Sequence, residues 1–256
     1  MHCPKCQFEQ PDGGTECIRC GVIFAKWKLI EKPVEPADQP PDSAEPVEAA
    51  PAVSSIESTA LDVAKDWLFA VEESVNPFYF AGRALVWLGL VVWGWRFIRT
   101  PVKSDYWQES FLHNINLPFH EAGHLIFIPF GEFMTVLGGS LFQVLMPLIC
   151  AGTFLLKNRD PFGTSVGVWW AAQSLMDVSP YIDDARDLEL VLLGGVTGKD
   201  VDDYHDWERI LRWLNLLPYD HHIAAWAKGL GNVAMILALF WGAYVLVLQY
   251  RRLDTR

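Results

Sequence analysis

From Phe78 onward the chain is dominated by Trp, Phe, Leu, Val, Ile and Gly, in runs close to the ~20 residues that an α-helix needs to cross hydrocarbon. Five such runs are expected to span a membrane: 78–98, 106–130, 138–156, 162–182 and 223–248. In lipid every backbone N–H and C=O must be satisfied within the segment, so runs of this kind fold as helices. The expected fold class is mainly α, a polytopic membrane helix bundle. An acidic, partly helical excursion at 183–222 separates the fourth run from the fifth.

The first 57 residues have a different composition. Two pairs, Cys3-Pro-Lys-Cys6 and Cys17-Ile-Arg-Cys20, carry four of the five cysteines. Each CxxC forms a tight knuckle that turns two thiolates inward, and two knuckles complete a tetrahedral zinc site. Asp12-Gly13-Gly14 supplies the turn between them. Residues 1–28 are therefore expected to form a zinc ribbon, with metal binding supplying much of its folding energy. Two disulfides are the alternative reading of the same cysteines. Thiolate ligands favour a reducing compartment, which points the ribbon to the cytosol. Residues 29–57 form an acidic linker with prolines at 33, 36, 40, 41, 46 and 51, too polar to order itself. Residues 58–77 read as a juxtamembrane helix opened by a capping box at Thr59-Ala60-Leu61-Asp62. The remainder, 78–256, is the membrane domain.

The net charge of −11 comes mainly from the linker and from 183–208. This acidic balance argues against nucleic acid as a partner. The start of the chain lacks the apolar run of a signal peptide, so none is expected. Arg96, Arg99 and Lys103 follow the first run, Lys157 and Arg159 the third, and Arg251, Arg252 and Arg256 the last. If all five runs cross, these clusters share one side, which basic residues mark as cytosolic. That assignment conflicts with a cytosolic ribbon.

Within the second run stands His120-Glu121-Ala122-Gly123-His124. Two histidines four apart lie on one helix face and can reach one metal ion, and the adjacent glutamate can serve as general base. Placing these groups in an apolar helix is costly unless they are partnered. A membrane helix with a few hydrogen-bonded polar residues is the bland alternative. A catalytic zinc site needs a third protein ligand and an open position. If the second and fourth runs are parallel, His120 and Asp177 sit at similar depth, each about 21–23 Å along its helix. Asp177 is thus the expected third ligand. Its alternative role is at a helix break near Pro180. Asp184 and His205 are the alternatives for the ligand, while Asp183, Asp184 and Asp187 read as a solvated cluster. His205-Asp206 and His221-His222 read as surface pairs that a metal site could recruit. His113 could share the face of His120, although an interface role suits it better. Asn114, Asn116 and Gln173 are candidates to hold an extended substrate.

HEAGH in an apolar helix, a small-residue turn at Gly138-Gly139, further apolar spans and a downstream intramembrane Asp resemble the site-2 protease family of intramembrane zinc metalloproteases. The resemblance covers roughly 106–182. It implies that His120, His124 and a later aspartate, carried over as Asp177, hold zinc while Glu121 activates water. One departure is plain: the family's aspartate usually precedes a glycine, and the single Asp-Gly here is Asp12-Gly13. Residues 1–28 separately resemble short zinc ribbons at the N-termini of many bacterial proteins, which implies a bacterial inner membrane.

The leading expectation is a membrane-embedded zinc metallopeptidase. It would cleave membrane proteins or peptides with zinc-activated water and Glu121 as base. It would carry two Zn2+ ions, one structural and one catalytic, and the ribbon would be free to bind a cytosolic protein. Two other classes compete: a non-catalytic membrane adaptor acting through its ribbon, and a metal or ion transporter.

Overall fold

The computed structural model describes residues 60–253 and, before them, residues 2, 3, 9, 11, 14–17, 23 and 24. Cys6, Cys20, Asp12-Gly13, the 29–57 linker, Thr59 and Arg256 lie outside the described residues. The chain divides into two compact units, Met1–Ser55 and Ile56–Arg256.

In the first unit Cys3 and Cys17 are buried. Antiparallel bridges join His2 to Glu9 and Glu16 to Ile23. In sequence, each bridged pair of residues flanks one CxxC pair.

The second unit is helical: α1 (Ala60–Phe69), α2 (Pro77–Arg99), α3 (Tyr106–Glu109), α4 (Phe111–Ile126), α5 (Glu132–Leu156), α6 (Pro161–Asp183), α7 (Asp206–Trp213) and α8 (Asp220–Tyr250). Asn76 caps α2 by accepting from the Phe78 N–H, and Pro77 occupies its first turn, where no N–H is needed. Three helical segments are long and apolar enough to cross a membrane: Pro77–Arg99, Glu132–Leu156 and Leu217–Tyr250. Their outward faces are apolar, with Phe78 83%, Val92 73%, Trp226 72% and Phe240 71% exposed. At 23 residues α6 has the length, but it carries Gln173, Ser174, Asp177, Ser179 and Asp183.

The centre of the unit is α6, packed between α5 and α8. Small residues set these approaches. A Cβ on Gly231 of α8 would meet Met176 and the Ala172 carbonyl, and one on Gly167 of α6 would meet Ala151 of α5. Phe97, Trp107, Trp169, Met176 and Met235 form the main apolar cluster.

The side-chain contacts also fix which ends of the helices lie together. At one end, Val75 bridges Leu253, Arg83 pairs with Asp160, and Phe162 packs with Val245 and Leu246. At the other, Lys228 donates to the Phe97 and Ile98 carbonyls, and Lys103 pairs with Asp183 and Asp187.

Residues 106–130 depart from the expectation of a full span. The helix is interrupted at Ser110, contains Pro118, and within α4 has 16 residues, about 24 Å at 1.5 Å per residue. Its two flanks lie at the same end of the bundle. Before α4, Tyr106 packs on Phe97 and Trp107 donates to the Pro101 carbonyl. After it, Glu132 pairs with Arg209 of α7, within the excursion that follows α6. The segment enters and returns. Consequently Arg96, Arg99 and Lys103 stand at the end opposite Lys157, Arg159, Arg251 and Arg252, and the shared side expected for these clusters is corrected.

Gly138-Gly139 also differs from expectation: it lies inside α5, with no turn there. Gly123 of α4 and Gly138 of α5 meet backbone to backbone, each filling the space a Cβ on the other would need.

Candidate metal centre

HEAGH lies on α4, where the i,i+4 spacing stacks the two imidazoles with ring centroids 4.9 Å apart. Both Nε2 atoms point at one oxygen, Oδ2 of Asp206, at 3.1 Å from His120 and 3.3 Å from His124. Two donors on a tetrahedral zinc, each at ~2.0–2.2 Å, would themselves be ~3.3 Å apart. His120, His124 and Asp206 form the metal-ligand cluster found among the described residues.

The outer nitrogens are engaged as well. His120 Nδ1 lies 2.9 Å from Gln143 Oε1, and His124 Nδ1 lies 2.8 Å from the Thr135 carbonyl oxygen. Gln143 is oriented by its amide, which donates to Ser174. Each ring thus faces acceptors at both nitrogens, while a neutral imidazole has a single N–H to donate. The arrangement is satisfied by positive charge at the Nε2 side, either an added proton on each ring or one metal ion. With Nδ1–H committed outward, the Nε2 lone pairs are directed at that position, as ligand-orienting contacts require. Burial pushes the Asp206 carboxyl up, but hydrogen bonds with His120 and His124 outweigh it and hold the group down, at about 2. Two nitrogens and one carboxylate with room beside them fit a catalytic zinc ion.

Gly139 gives the rings their space. A Cβ there would fall 2.5 Å from His124 Nε2 and 2.6 Å from His120 Nε2.

Asp206 arrives from outside the central helices. His205 caps α7, its Nδ1 accepting from the Glu208 N–H at 3.1 Å, and the Tyr181 ring lies on His205 with centroids 4.3 Å apart. The Asp206 N–H donates to Tyr181 Oη at 2.8 Å. Trp207 donates to Ser140 at 3.0 Å, and Ile210 and Leu211 are buried beneath the helix. His205 Nε2 faces Asp184 at 3.4 Å, and Asp184 accepts the Glu189 and Leu190 N–H groups.

Asp177 does not join the metal cluster, which corrects the expected third ligand. His113 Nδ1 lies 3.1 and 3.2 Å from its two oxygens, and Asn116 donates to it at 3.2 Å. The equal-depth reasoning required parallel helices. Instead α4 crosses α6 obliquely: His113 meets Asp177 and Phe119 meets Trp170, while His120 lies beside Tyr181. His113 is two turns before His120, about 10 Å along the axis. Asp184 and His205 hold α7 and its loop in place, apart from the metal cluster.

The remaining expected residues divide. A cavity of about 560 Å³ is lined by His120, Glu121, His124, Asp206, His113, Asn114, Asp177 and Tyr181, and by 190–194. Glu121 makes no hydrogen bond or ion pair among the described residues and so keeps its carboxylate available. Asn114 faces the cavity. Asn116 and Gln173 do not: Asn116 donates to Gln173 and accepts from Trp170, and both amides are buried. They brace Asp177, and the expectation that they hold substrate is corrected. Sequence reasoning passed over Gln143, Thr135 and Tyr181, and took Gly139 for part of a turn.

No protein-family model, curated protein or solved structure matches this chain.

Proposed function

We propose that this chain is a membrane-embedded zinc metallopeptidase acting on membrane-associated proteins or peptides. The observation that carries the reading is the convergence of both HEAGH Nε2 atoms on one Asp206 oxygen, with each Nδ1 tied to an outer acceptor. His120, His124 and Asp206 hold the ion, which when bound polarises a carbonyl and makes water more acidic. Glu121, unpaired and facing the same cavity, takes the water's proton and passes it to the leaving amine. His113 and Asn114 offer hydrogen bonds along the cavity wall to an extended backbone. The cavity volume falls within the range of ligand sites.

Three protein ligands leave a position open, which favours catalysis over the closed four-ligand site of a structural adaptor. The exposed apolar faces of α2 and α8 support a bilayer as surroundings. The two CxxC pairs, Cys3 with Cys6 and Cys17 with Cys20, suit a ribbon zinc held by thiolates, which would put the N-terminal segment in the cytosol, open to a protein partner.

The test is zinc content and cleavage in the full chain reconstituted with a library of single-span peptides, read by mass spectrometry. Wild type should cleave and hold zinc, His120→Ala should lose both, and Glu121→Gln should lose cleavage alone. Cleavage surviving in Glu121→Gln would overturn the mechanism.

A further inference from the structure

We infer that Tyr181 is a catalytic residue, its hydroxyl donating to the carbonyl oxygen of the peptide bond under attack. This rests on the hydrolase reading above and adds to it a second source of stabilisation besides the ion. Tyr181 belongs to α6, and its ring stands 6.0 Å from that of His120 and 4.3 Å from that of His205. Its hydroxyl is 2.8 Å from the backbone nitrogen of Asp206, the residue whose side chain faces both metal histidines. The reacting centre is therefore a few ångströms away.

The hydroxyl's hydrogen-bond roles decide what it can do. Its oxygen accepts the Asp206 N–H, which fixes it in place, and its proton is within reach of the Asp206 carboxylate, whose charge a bound ion would take up. The side chain also lines the cavity. A phenol is neutral at neutral pH and can donate while it accepts. A donor held in this way, on the cavity wall beside the cluster, meets the geometric need of a charge developing on a carbonyl oxygen. Peptide hydrolysis concentrates negative charge on that oxygen as water adds to the carbon. No bond of Tyr181 is broken: the proton stays on the phenol, and the hydrogen bond strengthens as charge grows and relaxes as the amine leaves.

The competing role is positioning, since the same hydroxyl anchors Asp206. Acetohydroxamate separates the two, because it supplies a carbonyl-type oxygen next to the ion without needing a substrate. The full-length protein loaded with Co2+ is titrated with acetohydroxamate and followed by visible absorption, and zinc affinity is measured separately by chelator competition. Tyr181→Phe should bind zinc within about threefold of wild type yet bind acetohydroxamate about tenfold more weakly, the loss of one hydrogen bond to a charged acceptor. Incorporation of 3,5-difluorotyrosine at 181 keeps the shape and makes the phenol a stronger donor but a weaker acceptor. It should tighten acetohydroxamate, and it serves as the reading if the Phe variant does not fold. Unchanged acetohydroxamate affinity in both variants overturns the inference. So does a parallel loss of zinc affinity, which would make Tyr181 a positioning residue. Wild type that takes up no Co2+ or Zn2+ at the HEAGH site overturns the hydrolase reading itself, and the inference with it.

Discussion

Gly139 and His124 stand so close that a methyl group on the glycine would lie 2.5 Å from the imidazole Nε2. The backbone of α5 is thus the floor beneath the ligand nitrogens, and α5 cannot retreat while Gly123 and Gly138 are in contact. Gly139→Ala should displace the rings, lowering metal affinity by at least about tenfold, with the ~1–3 kcal/mol of strain typical of an overpacked site. Isothermal titration with zinc and a thermal melt would measure the two effects. Wild-type affinity in this variant would mean that the rings do not lie where the structure puts them.

The two aspartates should separate cleanly. Asp206→Asn removes an anionic ligand and should reduce zinc affinity at least about a hundredfold with the helices intact. Asp177→Asn should keep zinc and instead lower stability by roughly 1–3 kcal/mol, because its partners are the buried Asn116 and His113. The reverse pattern would restore Asp177 as the third ligand.

Glu121→Gln keeps size and hydrogen bonding but cannot accept a proton. Cleavage should fall by roughly 10²–10⁴-fold at unchanged metal content. A comparable fall in metal content would make Glu121 a structural part of the site.

Zinc and protons compete for the same Nε2 lone pairs, so zinc affinity should weaken as the pH falls. In the metal-free protein Asp206 is held down to about 2, below its ordinary 3.8. A depressed carboxylate contributes stability that is complete above 3.8 and lost as the pH falls through about 2. The stability advantage of metal-free wild type over Asp206→Asn should therefore hold from pH 6 to pH 4 and shrink below. An advantage already gone at pH 4 would contradict it.

Two zinc ions are expected per chain. Cys3→Ser and His120→Ala should each remove about one equivalent by elemental analysis, and the double variant both. If Cys3→Ser keeps its full complement, the cysteine unit is not a zinc site.

Much of this arrangement was legible in advance. The spacing of HEAGH specified the helix and its shared face, and the apolar runs gave α2, α6 and α8 to within about three residues, while α5 starts six residues before its run. The third member of the cluster was legible only as one of two pairs that a metal site could recruit, because Asp206 is 82 residues beyond His124 in sequence and reaches it through tertiary docking alone. Its signals are clear afterwards: a capping His205, acidic residues in the first turn, and Trp207, Ile210 and Leu211 on one face. The depth estimate failed for a related reason. Counting residues from the start of a run assumes a straight crossing, and Ser110 and Pro118 were the marks that α4 does not make one.

Because Asp206 rides on α7, outside the helices that carry the histidines, filling the site and seating the excursion share one equilibrium. An ion that binds the seated form stabilises that form by mass action. The dependence is reciprocal: a contact that lifts α7 weakens the ion's hold by the same factor that the ion resists the lifting. With the ion held as proposed, the excursion between α6 and α8 would be a lever on the metal, and a macromolecule gripping it from the aqueous side would set the metal's occupancy without touching either histidine.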